Sequence, residues 1–228
     1  MKTHTNSRMH RVAAFALLVA VTAADPALAG SWVTTPPLAG DAARLRIGEN
    51  DGVVRVAYVE SGDLYLARFN SQSWSWSTEF VTQGPVGSTS LALDANGNGY
   101  ISFTRSTAFG NWTELLLASR TASGWMIETV DATNTYSYDT SVAVDSMGVV
   151  HILGKEEQDG ELWYWSGYPG GPWAGEVVDD DSNPGRYSQL FLDSQGVPHA
   201  VYSTWSPKSD VRHAYRTGPN AWRMSAYS

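Results

Sequence analysis

The sequence predicts an all-β chain built from four copies of one four-stranded unit, and three observations carry that reading. First, one phrase recurs: an apolar strand, an Asp-x-x-Gly turn and a second strand. It stands at Asp94-Ala-Asn-Gly97, Asp145-Ser-Met-Gly148 and Asp193-Ser-Gln-Gly196, with a worn copy at Glu49-Asn-Asp-Gly52. Second, a tryptophan recurs after a small turn, at Trp76 (with Trp74 beside it), Trp125, Trp173 and Trp222. Third, helical periodicity is nearly absent beyond the first residues. Short runs rich in Val, Ile, Tyr, Trp and Thr alternate with Gly, Asn, Asp and Ser, which is strand-and-turn patterning. The turn glycines Gly52, Gly97, Gly148 and Gly196 are spaced 45, 51 and 48 residues apart. A fixed period of about 40–50 residues with four short strands is the pattern of a β-propeller blade.

Taken in order, the chain opens on a segment expected to lie outside the fold. Lys2, Arg8 and Arg11 precede an apolar run over 13–24, and Ala27-Leu-Ala29 offers a small-residue cleavage site. This is the pattern of a signal peptide over 1–29. The apolar run is too short for a membrane span, which needs about 20 residues, and we expect no membrane insertion. The chain has no cysteine, so an exported fold must rest on core packing without disulfides. Without Lys2, Arg8, Arg11 and Asp25, 12 basic and 22 acidic residues remain, a formal charge of −10. An acidic surface argues against nucleic acid and anionic membranes as partners.

The repeat domain is expected over 30–228, with units at approximately 43–81, 89–131, 140–179 and 188–227. The Asp-x-x-Gly turn joins strands a and b of each unit; Gly supplies positive φ and Asp bonds its own backbone. Strand c is read at Leu64-Tyr-Leu-Ala67, Leu115-Leu-Leu-Ala118, Leu162-Trp-Tyr-Trp165 and Val211-Arg-His-Ala214. An acid precedes each: Asp63, Glu114, Glu161 and Asp210. These either ring the axis with carboxylates or charge the start of the strand, and the second use is favoured. Strand d starts at the repeat Trp, read as a wedge between blades, because one sheet cannot bury both faces alone. His151 and His199 share a strand-b slot with Tyr100 and Arg55. Occupants so different mark a packing position and not a metal pair. An orphan strand at Trp32 precedes the four units. It leaves a closed four-blade ring, an open arc, or a piece of a longer propeller as the arrangements to distinguish.

The phrase apolar-x-apolar-Asp-x-x-Gly-x-x-His/Tyr, with a Trp opening strand d, resembles the repeats of secreted bacterial propellers grouped with sialidase-like or Asp-box proteins. The resemblance covers 30–228 and implies a propeller fold. It departs from that family in two respects. The Asp turn lies between strands a and b, whereas an Asp box lies between c and d. Arg46-Ile47-Gly48 only echoes the Arg-Ile-Pro of sialidases, and no arginine triad is assignable among Arg55, Arg105, Arg186 and Arg216.

In a meander the a-b and c-d turns share one end of each blade, and the longer b-c and d-a loops share the other. Variable loops on a regular scaffold are the usual seat of recognition. That end gathers Trp112, Tyr136, Tyr138, Arg186, Tyr187 and Trp205, with carboxylates nearby. Aromatic rings suit the apolar face of a sugar and polar groups its hydroxyls; closing the loops onto the blades is the competing use. The run 179–183 offers oxygens to calcium but lacks a spaced ligand set, so no cofactor is expected. No Ser-His-Asp arrangement, phosphate loop or zinc spacing occurs, and no carboxylate pair is singled out for glycoside cleavage. The reading is a secreted or periplasmic, non-catalytic binding module for a glycan or an extracellular protein. A glycosidase-like propeller, whole or degenerate, and a plain structural scaffold are the alternatives. An open arc adds self-association as a further expectation.

Overall fold

The computed structural model describes residues 42–47, 52–106, 113–133, 136–205 and 210–227. The segment expected to be a signal peptide, the strand expected at Trp32 and the segment holding Trp112 lie outside the described residues. The described chain is all β, sixteen strands in four antiparallel sheets of four. Blade 1 holds β1 (Ala42–Ile47), β2 (Val54–Glu60), β3 (Asp63–Asn70) and β4 (Ser75–Thr82). Blade 2 holds β5 (Val86–Leu93), β6 (Gly99–Ser106), β7 (Thr113–Thr121) and β8 (Gly124–Asp131). Blade 3 holds β9 (Tyr136–Val144), β10 (Val150–Glu156), β11 (Leu162–Gly167) and β12 (Trp173–Asp179). Blade 4 holds β13 (Pro184–Leu192), β14 (Pro198–Thr204), β15 (Val211–Gly218) and β16 (Ala221–Tyr227). Each sheet is a simple meander, the order expected of propeller blades. No helix among the described residues is long and apolar enough to cross a membrane.

The recurrent turn forms for the reason its residues suggest. In each of blades 2 to 4 the Asp carboxylate accepts two backbone N–H groups: Asn96 and Asn98 on Asp94, Met147 and Val149 on Asp145, Gln195 and Val197 on Asp193, all at 2.8 or 2.9 Å. Gly97, Gly148 and Gly196 close the turns at φ of +77°, +83° and +78°, a region costly for residues with a Cβ.

Burial then stacks the blades in chain order. The innermost strands lie against one another, β1 on β5, β5 on β9 and β9 on β13. One core joins blades 1 and 2 through Ala57, Val59, Leu64, Leu66, Ile101, Phe103 and Leu116, with Trp125 against it. A second joins blades 2 and 3 around Leu115, Leu117, Tyr136, Val142 and Ile152, with Trp173. A third joins blades 3 and 4 around Leu153, Tyr164, Leu190, Ala200 and Tyr202, with Trp222. Trp125, Trp173 and Trp222 are thus inter-blade wedges, whereas Trp76 packs within blade 1, against Val54 and Phe69. Among the described residues no apolar core joins blade 4 to blade 1, and no contact of comparable extent joins β13 to β1. The described blades therefore form an arc.

Polar staples accompany each apolar seam. On the innermost strands, Ser90 Oγ accepts the Val142 N–H at 3.2 Å and Ser141 Oγ the Leu190 N–H at 2.9 Å. Two residues earlier, Ser88 Oγ accepts the Thr140 N–H and Asp139 Oδ2 the Tyr187 N–H. On the outermost strands the motif Trp-x-x-Glu supplies Glu79, Glu128 and Glu176, each reaching the following blade. Glu79 pairs with Arg120. Glu128 accepts the Gly170 N–H and the Trp173 Nε1–H. Glu176 accepts two Arg216 N–H groups, the Asn220 N–H and the Trp222 Nε1–H. The pre-strand acids have local duties too. Asp63 accepts the Gly84 N–H, Glu114 pairs with Arg105, and Glu161 accepts the Trp163 Nε1–H. They sit on or beside strand c, third from the axis, so they make no axial ring.

Candidate functional site

Among the described residues, the loop end of blade 4 departs most from the repeat. Strand β13 carries two register shifts, between Pro184 and Arg186 and between Arg186 and Gln189, where β5 and β9 carry one each. Bulges bend a strand and re-aim its side chains. The backbone here is also strained: Ser182, Asn183 and Tyr187 adopt φ of 67°, 53° and 53°. For a residue as bulky as tyrosine the left-handed region costs roughly 1–2 kcal/mol. The hydrogen bond from Tyr187 N to Asp139, at 2.8 Å, holds it there. Strain of this kind concentrates at functional sites.

The consequence is an exposed corner. Tyr187 is 77% exposed and Trp205 is 54% exposed. The Arg186 guanidinium lies over the Trp205 ring, 3.3 Å from its centroid, a cation–π contact that holds it flat. Its N–H groups make no hydrogen bond or ion pair among the described residues. Below the corner, Trp205 N donates to the Ser182 carbonyl and Ser203 Oγ to the Arg186 carbonyl. An exposed indole, an exposed phenol and a flat set of unsatisfied donors thus stand together on one rim. They offer apolar faces and directional hydrogen bonds.

Two of the nearby carboxylates, Asp179 and Asp181, are engaged by neighbouring side chains. Asp179 is buried; Tyr202 donates to it at 2.7 Å and Arg212 at 2.8 Å. Burial, then the Asp179 carboxylate, pushes the Tyr202 hydroxyl pKa upward. Asp181 accepts from Arg212 and from Ser182 Oγ, and these bonds hold its pKa below the usual range. Arg212 is in turn held charged, first by Asp179. The run 179–183 is therefore organised around an arginine, a cation that already engages two of its carboxylates. Among the described residues no group of three or more His, Asp or Glu side chains is placed to hold a metal ion.

Of the residues expected at this end, Arg186, Tyr187 and Trp205 come together. Tyr138 lies on β9, but its side chain is outside the described part, and Trp112 lies outside the described residues altogether. Tyr136 requires a correction: it is fully buried and does not face a ligand. Its hydroxyl donates to Asp131 at 2.8 Å and accepts from Trp165 Nε1 at 3.0 Å. The reason is Gly154, which stands where blades 2 and 4 carry Phe103 and Tyr202. A Cβ at Gly154 would meet the Tyr136 ring at 2.9 Å, so the ring fills the space a larger strand-b residue takes elsewhere. The glycine is the sequence signal for this, as Trp-x-x-Glu is for the staples.

Comparison with known proteins bears on the fold. A scan against protein-family models and a search of the curated proteins gave no match. Among solved structures the chain is similar to a protein of unknown function from Dyadobacter fermentans, at TM-score 0.62 and 12% identity over 87% of this chain and 69% of that one. It is similar to TolB from Acinetobacter baumannii, at TM-score 0.56 and 10% identity over 86% of this chain and 46% of that one. It is also similar to the α-L-arabinanase of Penicillium chrysogenum, solved with arabinobiose, at TM-score 0.56 and 11% identity over 81% and 65%. At these identities the likeness shows the propeller fold alone. The chain spans about half to two thirds of the length of these structures.

Proposed function

We propose that this chain is a secreted or periplasmic carbohydrate-binding propeller without catalytic activity, and that its ligand rests on the corner of Arg186, Tyr187 and Trp205. The observation that carries the reading is the stacked, exposed Arg186–Trp205 pair beside a strained, exposed Tyr187. Sugar rings bind through apolar faces on aromatic side chains and through hydroxyls on planar donors. The carboxylates beneath are engaged by Arg212, Tyr202 and Tyr187 N, which favours binding over bond cleavage. The arabinobiose-bound neighbour supports the choice of ligand class by analogy of fold. Calorimetric titration of the protein from Gly30 onward with arabino-, xylo- and gluco-oligosaccharides tests the proposal. Saturable binding that Trp205→Ala weakens by tenfold or more is expected. Hydrolysis of chromogenic glycosides by the same preparation would instead assign an enzyme.

A further inference from the structure

Each of blades 1 to 3 turns one face toward the next blade. The equivalent face of blade 4 has no blade against it among the described residues. It carries Phe191, His199, Val201, Val211, His213 and Tyr215. Phe191 is 44% exposed and Val211 is 50% exposed. The rings stack across the strands: Phe191 on His199 at 5.1 Å, His199 on His213 at 5.1 Å and on Tyr215 at 5.7 Å. The pair His199 Nδ1 and His213 Nε2, 2.8 Å apart, repeats the pair His151 and Tyr164 that blade 3 buries under blade 4. The apolar half of a blade seam is thus present.

The polar half is absent. Where blades 2 and 3 carry Ser90 and Ser141, blade 4 carries Gln189; where they carry Ser88 and Asp139, it carries Tyr187. Where blades 1 to 3 carry the staple glutamate, it carries Ser225. A further blade of this design would therefore meet none of the acceptors that seat blades 3 and 4.

We infer that this face is where a second copy of the chain pairs, face to face about a two-fold axis. Such an interface must be self-complementary, each group able to meet its own copy. Gln189, Ser203, Ser225, Tyr215 and the histidine pair all both donate and accept, and the face carries charges of both signs, Arg223 on its outer strand beside Tyr215 and Asp193 at its turn end, 3.5 Å from His199 Nε2. Stacked rings present edges and not faces to solvent, which suits protein packing better than sugar stacking. Four strands of seven residues make a face roughly 20 Å by 23 Å. Pairing two of them buries on the order of 1,000 Å², the lower limit of specific interfaces, so the dimer dissociates on dilution.

Sedimentation equilibrium at neutral pH, over a wide concentration range, tests this. A monomer–dimer equilibrium is expected for the parent chain. Phe191→Glu should raise the dissociation constant at least about tenfold, because it sets an unpaired charge in the seam. Phe80→Glu, at an exposed position on the opposite face of blade 1, should leave it unchanged. Far-UV circular dichroism checks that both variants fold. A chain that stays monomeric throughout, open-ended growth beyond the dimer, or loss of association with Phe80→Glu but not Phe191→Glu overturns the inference. None of these outcomes touches sugar binding, which Trp205→Ala reads separately.

Discussion

The seam between blades 3 and 4 and the outward face of blade 4 are two versions of one surface. At the seam, Tyr164 is buried against Trp222, with the Arg216 guanidinium 5.6 Å from its ring. Arg216 is locked by Glu176, and Ser141 holds the Leu190 N–H. On the outward face, His213 takes the place of Tyr164, Gln189 that of Ser141 and Ser225 that of Glu176. The strands, turns and ring stacking persist while the inter-blade acceptors are gone. Residues that make a blade and the polar acceptors that join blades are therefore separable sets, and the outward face of blade 4 keeps the first without the second.

The matched pair Tyr164 and His213 breaks this comparison most sharply. Tyr164→Ala should destabilise the chain by about 3–5 kcal/mol, the cost of emptying a buried aromatic site. His213→Ala should cost less than about 1 kcal/mol at a half-exposed site. Urea unfolding of both variants measures the difference, and equal losses would mean that the outward face contributes as much to folding as the seam does.

Next in size is the staple. Burial alone would raise the Glu176 pKa. Arg216, the Asn220 N–H and Trp222 outweigh it and leave the pKa lowered. Glu176→Gln should cost about 2–3 kcal/mol, since a charged hydrogen-bonded partner is removed from a largely buried pair. Glu128→Gln, which meets Gly170 and Trp173 but no arginine, should cost about 1 kcal/mol.

Acid should find the same seam. Burial depresses the His151 pKa below 6.5, with Asp145 opposing. The folded state then binds fewer protons than the unfolded one, so stability is full above about pH 6.5 and falls as the pH drops below it. Glu176 adds a second loss below pH 4.5, because its folded pKa is lowered. Burial depresses His213 on the outward face as well, so a stability profile against pH should show both losses, and His151→Gln should reduce the first without removing it.

The smallest effect on stability is expected at the corner. Tyr187→Gly frees a left-handed position and should stabilise by up to about 1 kcal/mol, while weakening sugar binding. A variant both less stable and fully binding would place the strain elsewhere than Tyr187.

Repetition explains what the sequence makes legible. Asp94, Asp145 and Asp193 with their glycines, and Trp125, Trp173 and Trp222, recur because backbone geometry and seam packing recur, so the blade plan is visible in the residues. Tyr136 is not, because its burial depends on the absent side chain of Gly154 on a neighbouring strand, a relation between positions and not a property of tyrosine. Arg186 over Trp205 is out of reach for a similar reason: two bulges in β13 set that contact, and bulges leave no composition of their own. The places where the repeats disagree, Tyr187, Gln189 and Ser225, are where the molecule departs from a plain scaffold.

A glycan array probed in parallel with the parent protein and Trp205→Ala tests the proposed function most directly. The expected result is a defined set of oligosaccharides bound by the parent and lost by the variant, with folding unchanged. No binding by the parent at high concentration, or the same binding by Trp205→Ala, would contradict it.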